Sequence, residues 1–278
     1  MARRRIAEEP TSRLATWARR TALFSLVATL LAIVIVRAGL LEIVPALATL
    51  GGALVLAALA IVLALGAFIV IWKDGIAGGG RAAAAAAIGI ALLAYPTYLG
   101  VRAYRLPMIN DVTTDPIDPP RFDVVARLRP RGTVEYAGLY AAEQQRAAYP
   151  DIEPLIVATT PQIAYDAAIG VINKRKWRVV VDRPPQAGRR DGQIEAVART
   201  PILGFRDDVV LRVRPAREGA RIDARSASRY GRHDLGTNAA RLRSLLEDID
   251  DAVSARTEEK IPKPPPKQPA KAAQPAKR

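Results

Sequence analysis

IVPALATLGGALVLAALAIVLALGAFIVIW, residues 43–72, runs for thirty positions without a charged side chain. A helix needs about 20 apolar residues to cross a bilayer, and soluble cores rarely sustain so long an uncharged run. Outward from it, Thr21–Val36 and Ala82–Val101 are uncharged as well. The third stretch is long enough outright. The first is shorter, but Arg37 at its end can snorkel to the headgroups, and Trp17 suits the opposite interface. Residues 21–101 therefore read as an α-helical membrane anchor with three spans. Pro96 is expected to kink or end the third helix near Tyr95 and Tyr98. Ala60, Ala64 and Gly66 are candidate small-residue packing positions between helices.

The charge of the 278-residue chain, +14, gathers at the two ends. Arg3, Arg4, Arg5, Arg13, Arg19 and Arg20 lie in the basic segment 1–20 before the first span, and Lys73 and Arg81 bracket the link between the second and third. Only Arg37, balanced by Glu42, lies between the first two. The positive-inside rule then predicts a multi-pass protein of the bacterial inner (plasma) membrane, with a cytoplasmic N-terminus and a periplasmic C-terminal domain. Nucleic acid is not an expected partner, because the basic excess is terminal and not on a folded face. The absence of Cys and the single His233 exclude disulfides and thiolate chemistry, so neither a metal nor a cofactor is expected.

Residues 161–254 read as an α+β two-layer domain: a four-stranded antiparallel sheet with two packed helices. Thr160 and Pro161 start a helix to about Lys176. Apolar and polar residues then alternate around Val179, Ala196, Leu211 and Ala224, giving four strands with one apolar and one charged face. The last helix starts near Thr237 or Asn238 and carries Leu242, Leu245, Leu246, Ile249 and Val253 at helical spacing. Residues 102–160 form a Pro-rich extended belt with one short helix at Tyr140–Ala148, expected to lie on the charged face of the sheet or on the membrane. Residues 255–278 form a disordered Pro/Lys/Ala tail. Its lysines suit weak attraction to membrane lipids or an envelope polymer, or serve solubility alone.

Several runs carry a family resemblance: NDVTTDPIDPPRF (Asn110–Phe122), AYPDIEPL (Ala148–Leu155), TPILGFRDDVVLRVR (Thr200–Arg214) and RIDARSASRYGRHDLGTNAARL (Arg221–Leu242). Over residues 107–253 the chain resembles the bacterial and plastid family catalogued as domain of unknown function 1499. The resemblance implies an envelope location and a single domain over that span. It brings no known activity, so no catalytic residue is carried over.

The run from Arg225 to Asp234 concentrates hydrogen-bond donors where a strand ends and a helix begins, which is a physical setting for an anion. Arg225, Ser226, Ser228, Arg229, Arg232, Asp234 and Asn238 are the candidate ligand-binding residues. The alternative is that Asp234 and Asn238 only cap the helix while the arginines pair with Asp207 and Asp208. A cell-envelope hydrolase would recruit Ser226 or Ser228 with His233 and Asp234, although adjacent His and Asp side chains rarely form a working relay. Asp111, Asp115 and Asp118 suit Asx-type turns better than calcium, because proline interrupts them and no bidentate Glu follows. Ile202, Leu203 and Phe205 put large apolar side chains in a turn. They lie either under the belt or in contact with lipid or a partner. The leading expectation is a non-catalytic envelope-side domain that binds an anionic envelope ligand or an envelope protein.

Overall fold

The computed structural model describes residues 10–40, 43–129, 138–186, 188 and 191–259. Three helices, α1 (Arg13–Ala38), α2 (Ile43–Asp74) and α3 (Gly79–Arg105), are long and apolar enough to cross a membrane. They pack through small side chains: Ala15, Ala18 and Ala22 of α1 meet Ala60, Ala64 and Ala67 of α2 and Ala82 and Ala85 of α3, all fully buried. Ser25 Oγ donates to Ala53 O at 2.7 Å. Phe24, Val27, Leu30, Val55, Val62 and Ile69 turn outward. Close backbone approach at small residues, not burial of large ones, holds the bundle together. Gly66 is only partly buried, and the tighter contact is at Gly89, where a Cβ would meet Ala57 O at 2.9 Å. Pro96 does not end α3, which continues through it to Arg105.

The domain that follows is an antiparallel sheet with helices on one face. Its strands are β1 (Asp111–Thr113), β2 (Leu155–Val157), β3 (Arg178–Arg183), β4 (Gly192–Arg199), β5 (Arg206–Ala216) and β6 (Gly219–Ser228). The sheet has six strands and not the expected four, ordered β1-β6-β5-β4-β3, with β2 also on β6. The four long strands are those read from the alternation. The two additions are three-residue pieces of the belt that share the outer edge of β6: β1 opposite Arg225–Ala227 and β2 opposite Ala220–Ile222. Three residues are too few to show a period of two, and main-chain hydrogen bonding alone recruits them. Without them β6 would present an unpaired edge.

Helices α5 (Pro161–Lys174) and α6 (Thr237–Glu259) cover the apolar face, and α4 (Leu139–Ala148) flanks β1. Thr160 Oγ1 caps α5 by accepting from Ile163 N. Ala164, Ala168 and Ile172 of α5 and Leu242, Leu245 and Ile249 of α6 are fully buried against Ile194, Leu211 and Ile222. Burying each Leu or Ile contributes about 1.5–3 kcal/mol. α6 runs to Glu259, past the expected end of the domain at 254, and the rest of the basic tail lies outside the described residues.

The belt lies on the charged face of the sheet. Glu195, fully buried, accepts from the amides of Asp123 (2.7 Å), Val124 (3.1 Å) and Val125 (2.7 Å), and so starts the 3-10 turn Val125–Leu128. Asp223, also fully buried, pairs with Arg212, Arg214 and Arg221. Asp115 Oδ1 accepts from Ile117 N and Asp118 N in an Asx turn, while its Oδ2 pairs with Arg221 at 2.7 Å.

Gly219 (φ +131°) begins β6 where β2 passes, and a Cβ there would sit 2.3 Å from Val157 O. Gly219→Ala is expected to destabilise the domain by about 3 kcal/mol, from backbone strain plus overlap. Gly188→Ala, also at positive φ but in open space, should cost only about 1 kcal/mol. Equal melting temperatures for the two variants would contradict the steric account.

Candidate functional site

The run from Arg225 to Asn238 divides between the two faces of the sheet. Along β6, Ser226 and Ser228 face the helices, whereas Arg225 faces the belt, as the period of two requires. Asn238 Nδ2 donates to Ser228 Oγ (3.0 Å) and to Asn110 O (3.0 Å), and its Oδ1 accepts from Ser226 Oγ (2.8 Å). Arg241 donates to Ser226 Oγ and pairs with Asp207. On the opposite face Arg225 pairs with Asp111 at 2.8 Å, and Arg229 with Asp208 at 2.7 Å. The guanidiniums of Arg129 and Arg225 both lie over the ring of Phe122 in the belt, 4.7 and 4.8 Å from its centroid. Arg232 is exposed and forms no ion pair among the described residues.

Asp234 is the cap of α6. Its Oδ1 accepts from Gly236 N (2.9 Å) and its Oδ2 from Asn238 N (2.8 Å), so the chain's own carboxylate fills the anion position at this helix terminus. Burial raises its pKa above the ordinary value, against the lowering effect of the two amides. Asp207 is raised as well, by burial, despite Arg241. His233 accepts from Leu235 N at Nδ1 (2.9 Å), which leaves the proton on Nε2, facing Ala103 O at 3.1 Å. Both ring nitrogens therefore meet backbone groups, and among the described residues no hydrogen bond joins His233 to Ser226 or Ser228.

Next to this loop a cleft of about 370 Å³ opens between α3, the Thr200–Phe205 turn and the start of α6. Tyr95, Tyr98, Leu99 and Arg102 of α3 form one wall, and Ile202, Leu203 and Phe205 form a second. Arg206, Ser228, His233 and Thr237 line the polar end. Arg37, at the end of α1, donates to Pro201 O and to Ile202 O (3.3 Å), tying the turn to the helical bundle. The loop touches α3 directly: a Cβ on Gly236 (φ +75°) would meet Arg102 Nη2 at 2.9 Å.

Among the described residues two carboxylates and two guanidiniums line the cleft, and they are not paired with one another. Its carboxylates are engaged, Asp207 with Arg241 and Asp234 with the amides of α6. Arg102 lies over the Tyr98 ring, 5.8 Å from its centroid, and Arg206 is exposed at the start of β5. Among the described residues neither forms an ion pair. The cleft thus unites Ser228 and Asp234 with the apolar Ile202, Leu203 and Phe205, and leaves Arg225, Arg229 and Arg232 outside. Tyr95, Tyr98, Leu99, Arg102 and Arg206 escaped the sequence reading. The one-turn spacing of Tyr98 and Arg102 near the end of an apolar helix was the available signal.

The family model described as protein of unknown function (DUF1499) matches residues 111–249. The chain belongs to the DUF1499 family. The matched span opens on β1 and closes on Ile249, one of the buried residues of α6, so the belt strands are part of the DUF1499 domain. The α3 wall of the cleft lies before it, so the cleft is built by the DUF1499 domain together with the preceding helix. No curated protein matches the chain.

Asp234→Ala removes both acceptors at the start of α6 and should cost about 1–2 kcal/mol in a chemical or thermal melt. The raised pKa of Asp234 gives a pH signature. The folded state holds the proton more tightly than the unfolded one, so its contribution is fully present below the unfolded value of 3.8 and is lost as pH rises through the folded pKa. Wild type should therefore gain stability relative to Asp234→Asn as pH falls from about 7 toward about 4. A constant difference across that range would contradict the burial assignment.

Proposed function

We propose that the chain is a multi-pass bacterial inner-membrane protein, N-terminus cytoplasmic and DUF1499 domain periplasmic, whose domain is a non-catalytic module binding an anionic envelope ligand in the cleft. The observation that carries the binding reading is the pair Arg102 and Arg206, two guanidiniums on one cleft whose carboxylates are already engaged. Guanidinium recognises phosphate and carboxylate through paired hydrogen bonds. Ser228, Asp234, Ile202, Leu203 and Phe205 contribute the remaining walls, while Arg225, Ser226, Arg229 and Asn238 hold the loop from behind. Arg232 and the basic tail are free to add weak attraction to membrane lipids, an envelope polymer or an envelope protein. The hydrolase reading is the weaker one, because both nitrogens of His233 meet backbone groups and Asp234 caps a helix.

The orientation is supported by the basic residues before α1 and around the α2–α3 link. An export-dependent reporter fused after Arg105 should be active, and one fused after Trp72 inactive; the reverse pattern would overturn the topology. For binding, the full-length protein in neutral detergent should gain melting temperature with anionic probes (inorganic phosphate, glycerol phosphate or an anionic phospholipid) over neutral analogues of equal size. Arg206→Gln should reduce that gain. Absence of stabilisation by every anion would overturn the binding reading.

A further inference from the structure

We propose that the anionic group is the headgroup of a membrane phospholipid that enters the cleft sideways from the leaflet next to the domain; this rests on the anion-binding reading above. The site is amphiphilic in one direction. Along α3 the wall runs from the Arg102 guanidinium through Leu99 and Tyr98 to Tyr95 over about 10 Å of helix rise, charged at one end and apolar and aromatic beyond it. Tyr95 and Tyr98 are about half exposed, 49% and 53%, on the surface that continues into the flank of the bundle. A water-soluble anion has no use for such a wall, whereas a phosphodiester carrying acyl chains matches both ends.

The level of the cleft agrees. From Trp17 to Arg37, α1 rises about 30 Å at about 1.5 Å per residue, the thickness of a bilayer core. Arg37 therefore marks the headgroup plane, and it is Arg37 that holds the backbone of Pro201 and Ile202. The turn carrying Ile202, Leu203 and Phe205 consequently sits at that plane, facing the aromatic end of α3. Ile202 is still 39% exposed and available to an acyl chain. A volume of about 370 Å³ is at the lower end of the about 300–1,000 Å³ typical of ligand sites. It holds a headgroup and the first part of a chain, the remainder staying in the bilayer. Arg102 and Arg206 take the phosphate oxygens through paired guanidinium hydrogen bonds.

The test uses the full-length protein in nanodiscs of mixed phosphatidylglycerol and phosphatidylcholine, with retained lipid counted by native mass spectrometry. Wild type should retain the anionic lipid in preference. Arg102→Gln and Arg206→Gln should each reduce the preference about fivefold, the factor corresponding to the about 1 kcal/mol of a near-surface cation. Leu99→Trp, which fills the apolar wall and leaves both arginines, should reduce retention of both lipids. Arg217→Gln, an exposed arginine in the β5–β6 turn and outside the cleft, should change nothing. Melting curves exclude unfolding, and Arg206, exposed at a strand start, keeps the test decisive if Arg102→Gln fails to fold. Glycerol phosphate bound as tightly as the lipid, with Leu99→Trp silent, would overturn the lipid assignment and leave anion binding standing. No preference for the anionic lipid and no binding of glycerol phosphate would overturn both.

Discussion

Asp111, Glu195, Asp208 and Asp223 are buried side by side on one face of the sheet, and an unpaired charge in such a place costs several kcal/mol. Most of the domain's architecture meets that constraint. Arg129 and Arg229 hold Asp208, Arg225 holds Asp111, and Arg212, Arg214 and Arg221 hold Asp223. Among the described residues Glu195 pairs with no arginine and takes three backbone amides from the belt instead. The belt is thereby folded by the sheet it covers, and the strand β1 it contributes closes the edge of β6. Buried pairs of this kind add little net stability over an apolar replacement, but losing one partner costs about 3–5 kcal/mol. They fix where a proline-rich segment lies.

The second organising contact joins the bundle to the domain. Arg37 from α1 reaches the Pro201 turn, Ala103 O of α3 meets His233, and Gly236 admits the Arg102 side chain. The cleft exists because these contacts place a charged loop, an apolar turn and a helix end together. A serine- and histidine-bearing loop in such a position invites an enzymatic reading. Its side chains are instead occupied in holding α6 and β6 in register, and the two arginines that line the cleft beside it form no ion pair among the described residues.

What the sequence determined by itself is what repeats locally. Thirty uncharged positions define a helix long and apolar enough to cross a membrane without reference to anything else, and the alternation through Ala196, Leu211 and Ala224 defines strands because each residue's face follows from its neighbour's. The same period of two already separates Arg225 from Ser226; reading the donor-rich run as one patch overlooked it. Tertiary structure decided the rest. Leu155–Val157 and Asp111–Thr113 are strands only because β6 offers them an edge, and no three-residue segment carries a period. Arg102 and Arg206 line one cleft although they lie on different elements far apart in the chain. The charged face looks like a solvated one until the belt covers it, since burial of a charge is a property of what is packed against it and not of the strand that carries it.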